Sequence, residues 1–234
     1  MYLREAGERP EERGMDIMTD LKIKDPGSAI THFIGMLMAA FAALPLLIKA
    51  ADHPDRVHLA CMVVFILSMI ALYAASATYH TFDISERANR ILQKLDHSAI
   101  SVLIAGTYTP VCLLNLEQPT GRRLCMLVWA IAIVGIVVKM FWITCPKWFS
   151  SVLYIGMGWV CVIAFNSLLN DLPRPAFLWL LAGGLIYTAG GIIYALKLPL
   201  FNTRHKNFGS HEIFHLFVMA GSLCHYVLMY DYVA

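Results

Sequence analysis

Seven stretches of roughly twenty residues, each nearly free of charge, run through this chain and limit what it can fold into more than any other feature. They fall at about 29–50, 57–80, 96–116, 124–143, 151–169, 176–197 and 209–230. A bilayer core about 30 Å thick needs about 20 apolar residues per helical crossing, so each stretch is long enough to span it. The segments between them, such as "DHPDR", "EQPTGRR" and "NDLPRP", hold the Pro, Asp, Arg and Lys that end helices and stay in water. With 59% hydrophobic and 15% charged residues, the chain has too little polar surface to cover a soluble globule. The expected fold is an all-α membrane protein, a bundle of seven transmembrane helices over 29–234 preceded by a polar tail over 1–28.

The direction of threading follows from Lys and Arg, which concentrate in cytoplasmic loops. The tail and the alternate gaps on its side carry thirteen of them, including Arg87, Arg90, Lys94, Lys139, Lys147 and Lys197, against five on the other side, Lys49, Arg56, Arg122, Arg123 and Arg174. The N-terminus is therefore expected in the cytoplasm and the C-terminus on the far side of the membrane. A net charge of +2 with no long basic run gives no footprint for nucleic acid, which leaves membrane lipids as the expected partners. Oligomeric state has no signature here. The six cysteines are scattered singly without a CxxC pair and read as reduced, small apolar residues. Gly183 and Gly184 recur seven residues later as Gly190 and Gly191, a pattern expected to bring the sixth helix close to a neighbour. Pro45 and Pro110 fall inside spans, where the carbonyls they free need other partners.

Ionisable groups at membrane depth are costly, so each is a candidate for function. The second span ends "ATYH", the third begins "KLDHSAI" and the seventh begins "SHEIFH". The threading above brings all three ends to the cytoplasmic face, so His80, Asp96, His211 and His215 come to one level. His211 and His215 are four apart and project from one helical face, close enough to bind one cation. Ser76 lies one turn deeper than His80 on the same face. Three histidines and a water make a catalytic zinc shell with an open position. Asp96 is placed to bind that water, to accept its proton or to complete the shell as a fourth ligand. His32 is a second-layer group or substitute ligand, whereas His225 is ten residues beyond His215, about 15 Å along a helix, and too far to share the ion.

"HEIFH" also spells the zinc-protease motif H-E-x-x-H. That architecture takes a further ligand, commonly from downstream, and only 19 residues follow His215, among them Asp231 and His225, both far across the membrane. His80 on an earlier helix supplies the third ligand instead. Glu212 sits roughly 80° from the mid-line of the two histidines and stays open as a base.

The pattern Ser76-x3-His80, Asp96, His211-x3-His215, with the segments "AITHFIG", "SATYH", "LDHSAI" and "HEIFHLFVMAGSLCH", resembles the hemolysin III family, relatives of the progestin and adipoQ receptors. The resemblance implies zinc held by His80, His211 and His215, with Asp96 and Ser76 near its water, and a link to membrane hydrolases that include alkaline ceramidases. Two functions follow as expectations. The first is hydrolysis of a lipid amide or ester, with Asp96 taking the proton of the attacking water and Ser76 steadying the oxyanion. The second is a non-catalytic protein, zinc-stapled and receptor-like or lytic. Imidazole sites accept several first-row metals, so zinc rests partly on the resemblance.

Overall fold

The computed structural model describes residues 23–196 and 209–234. The expected tail as far as residue 22, together with Lys197, Arg204, His205 and Lys206, lies outside the described residues.

Among the described residues, seven helices are long and apolar enough to cross a membrane: α1 (Pro26–Ala51), α2 (Arg56–Thr81), α3 (Glu86–Asn115), α4 (Thr120–Phe141), α5 (Lys147–Asp171), α6 (Arg174–Leu196) and α7 (Ser210–Val233). No strand occurs among the described residues. The bundle is apolar outside and partly polar within. Phe41, Leu44, Ile133, Phe141 and Ile163 are exposed on its surface, while Ser76, Ser98, Ser101, Thr107, His80, Asp96, His215 and His225 are buried. That inversion is what a lipid solvent selects, because polar side chains are satisfied only by one another in the interior.

Local chemistry sets the ends. Pro26 opens α1 at the first helical position, ahead of the expected residue 29, where its missing N–H costs nothing. Asp55 and Ser85 cap α2 and α3 by accepting from Val57 N and Ala88 N. α3 starts well before the apolar run at 96, so "ERANRILQK" forms helical turns that carry Arg87, Arg90 and Lys94 clear of the apolar zone. After Pro110 the same helix ends in a π turn over Val111–Asn115.

α5 is broken in the middle by a 3₁₀ turn over Val160–Ala164. The Tyr108 hydroxyl of α3 stitches this break, donating to Gly158 O at 2.6 Å and accepting from Cys161 N at 2.9 Å. Two indoles add cross-ties, Trp129 to Thr109 at 3.1 Å and Trp159 to Thr188 at 2.9 Å. Lys139, counted from sequence among the loop charges, is buried and donates to Ser150 Oγ at 2.5 Å and Cys145 Sγ at 3.0 Å, which joins the end of α4 to the start of α5. All six cysteines are free.

The glycine pattern of α6 divides its labour. Gly183 and Gly190 let α7 approach, against His225 and Phe217, and Gly191 faces Ile155 of α5. Gly184 meets nothing within 4 Å and lines a cavity instead.

Candidate metal centre

At the end of the bundle where α1, α3, α5 and α7 begin, the last turn of α2 meets the first turns of α7. The i, i+4 spacing of His211 and His215 places their rings 4.5 Å apart on one face. His80 lies against both, with ring centroids 5.0 Å from His211 and 5.3 Å from His215. One ligand atom from each of the three falls within 4.8 Å of the others, a set able to hold a metal ion. The Nε2 atoms of His80 and His211 are 3.2 Å apart. Two Zn–N bonds of about 2.05 Å at the tetrahedral angle separate their nitrogens by about 3.3 Å, so this pair already stands at ligand spacing.

The Nδ1 atoms of His80 and His215 are held from behind. His80 Nδ1 is 3.0 Å from Asp25 Oδ2. Asp25 occupies the N-cap position of α1 but makes no side-chain cap there, so its carboxylate reaches across to α2 instead. Its backbone N–H also donates to His80 O at 2.9 Å, fixing both ends of the same residue. His215 Nδ1 is 3.3 Å from Thr31 Oγ1, whose own hydrogen is directed at the Gly27 and Ser28 carbonyls. The threonine oxygen therefore accepts from Nδ1–H, and Nε2 of His215 is left as the donor atom for a cation. Carboxylate or hydroxyl partners on the far nitrogen are the usual means of holding a ligand histidine in tautomer and orientation.

The other expected site residues divide into those that line the space beside the histidines and those that do not. Ser76 and Asp96, both buried, line it together with His211 and His215. Ser76 Oγ has no hydrogen-bond partner among the described residues. Asp96 is not part of the donor group formed by the three histidines. His32 lines the same space and stacks on His215 with ring centroids 3.6 Å apart and planes 7° from parallel, a packing neighbour of that ring.

Glu212 is occupied elsewhere. Its Oε2 accepts from Gly209 N at 2.7 Å, capping α7, and its Oε1 accepts from Ser28 Oγ at 2.8 Å, tying α7 to α1. The H-E-x-x-H letters thus serve a helix start whose glutamate is a clamp. Asp25 and Thr31 were not singled out from sequence. The signals were an aspartate just ahead of Pro26 and a threonine next to His32, each opposite a histidine only once the helices are packed.

The space itself is a cavity of about 220 Å³ that continues from this end into the bundle. Its walls are largely apolar, with Leu72, Ile100, Leu103, Ile104, Leu181 and Val218 among them; it passes His225 and runs on to Phe177, Leu168 and Cys112 near the other end of the bundle.

Fold and site together define a multi-pass integral membrane protein with a three-histidine candidate metal centre at one end of its helices. The chain belongs to the haemolysin III family. A family model described as "Haemolysin-III related" matches residues 22–226. The chain is 35% identical over 219 residues to Hemolysin-3 of Bacillus cereus, covering 94% of this chain and 96% of that protein. It is 37% identical over 195 residues to the Hemolysin-3 homolog of Bacillus subtilis (strain 168), covering 83% and 87%. A more distant likeness joins it to the adiponectin receptor protein of Drosophila melanogaster, 26% identical over 219 residues, 86% of this chain and 49% of that one.

Proposed function

We propose that this protein is a zinc-dependent hydrolase of a lipid amide or ester in the bacterial inner membrane, with the histidine end of the bundle at the cytoplasmic face. The observation that carries this reading is the three-histidine donor set beside a largely apolar cavity that His211 and His215 line. The Lys and Arg distribution supports the orientation.

His80, His211 and His215 would hold the ion. When bound there, zinc would polarise a carbonyl and lower the pKa of a water to near 7. The chain's own groups do the rest. Asp96, close by on the cavity wall and outside the donor set, accepts the proton of the attacking water. Ser76 Oγ, buried and unpartnered, donates to the carbonyl oxygen as charge develops on it. The apolar walls hold the acyl chain and keep bulk water from the reacting carbonyl. A structural zinc site closes all four positions with protein ligands. The donor set contains three among the described residues, which favours catalysis over a staple.

The test is hydrolysis of ceramide-like amides and ester lipids by purified protein of measured metal content. Asp96→Asn is expected to keep the metal and lose activity by about 100-fold or more, the usual size of a proton-transfer contribution. Metal-replete wild type that cleaves none of these lipids, in an assay where an alkaline ceramidase does, would refute the reading.

A further inference from the structure

α7 carries another histidine that the proposed chemistry does not use. His225 is buried and lines the cavity well inside the bundle. It lies ten residues beyond His215, about 15 Å along the helix at 1.5 Å per residue. Its Nε2 is 3.4 Å from the Leu180 carbonyl of α6. A carbonyl only accepts, so the ring hydrogen sits on Nε2, and in the neutral imidazole Nδ1 is left as a bare acceptor. That atom is buried and has no partner among the described residues.

The ring is placed there by the backbone opposite. A Cβ on Gly183 would stand 2.5 Å from Nε2, so only glycine at this point of α6 lets the imidazole lie against the helix and reach Leu180 O. The nearest hydroxyls are engaged with each other, Tyr187 Oη to Ser222 Oγ at 2.8 Å. Part-way along a largely apolar cavity, His225 thus presents a polar atom that lacks a hydrogen-bond donor.

We propose that the part of the cavity beside His225 is a subsite for a hydroxyl group: the ligand is an acyl chain whose O–H donates to Nδ1 of His225 while its carbonyl end lies at the histidine cluster. The separation of about 15 Å corresponds to roughly a dozen carbon–carbon bonds of an extended chain, which puts the hydroxyl near the middle of a long fatty acid. The inference rests on the reading that the cavity takes an acyl chain, and it adds what kind of chain.

The test is calorimetric binding of octadecanoic acids to the full chain in lipid nanodiscs, comparing the unsubstituted acid with a series in which one hydroxyl is moved along the chain. Wild type is expected to bind a mid-chain hydroxy acid roughly three- to tenfold more tightly than the plain acid, the range of one buried neutral hydrogen bond. Hydroxyls close to either end should gain nothing. His225→Phe, which keeps a ring and removes the acceptor, should abolish the preference while leaving the plain acid within about twofold. The positional series on wild type decides the matter without any variant. Plain acid bound with no hydroxyl preference at any position overturns the subsite, leaves the acyl-chain reading standing, and means that Nδ1 is satisfied by water. Failure of every acid to bind overturns both.

Discussion

The two ends of the bundle are both tied by polar contacts, yet they are tied differently. Where α2 meets α7, the contacts run from side chain to side chain: Asp25 to His80, Thr31 to His215, Ser28 to Glu212. The first two leave the other ring nitrogen of each histidine for the cluster, while Glu212 spends its second oxygen on Gly209 N. At the opposite end the contacts between α1 and α7 stop on main-chain carbonyls. Lys49 Nζ donates to Tyr230 O, and the Tyr226 hydroxyl donates to Ala42 O at 3.0 Å, in the turn that precedes Pro45. A carbonyl has no far side to orient. The second end ties the π turn over Met229–Val233 and the turn of α1 before Pro45 through main-chain acceptors, whereas the first aims several ring nitrogens at one point. Buried polarity marks both ends, and only the direction of the unused atoms separates a ligand site from a structural tie.

Substitutions should part the two ends in the same way. His80→Ala is expected to have the largest effect, reducing bound metal from stoichiometric to background on elemental analysis of the purified protein. Equal metal in the variant and wild type would remove the site. Asp25→Ala touches no proposed ligand position yet should weaken metal retention by 10–100-fold in chelator competition, the usual consequence of losing the group behind a ligand histidine. Unchanged resistance to the chelator would make the Asp25 contact a mere surface pair. Lys49→Met, at the other end, should leave metal retention as it was and lower unfolding stability by about 1–2 kcal/mol, as expected for one charge-assisted bond. A loss of metal on Lys49→Met would mean that the two ends are not separable.

Much of this could be read from the chain before any coordinates. Helix positions follow from apolar length, and the pairing of His211 with His215 follows from the pitch of a helix. His80 joins them because three span ends share one level. The limits are equally physical. Asp25 falls inside the expected polar tail over 1–28, because nothing local shows that its carboxylate abandons its own helix for the neighbouring one. Glu212 was open as a base, since the bond to Ser28 depends on how α1 lies against α7. The three roles weighed for Asp96 differ by a few ångströms of side-chain placement, below what periodicity resolves. The break in α5 was missed because "GMGWVCVIA" is as apolar as its flanks, and hydropathy does not register a change of helical pitch.

Tyr108 draws out one mechanical consequence of that break. A crossing segment usually keeps its backbone bonds to itself, so it is free to slide or screw against its neighbours with little penalty. α5 has instead lent two of these bonds to a phenol on α3. The two segments are pinned like leaves on one hinge pin, and the side of the chamber they share moves as a single plate or not at all.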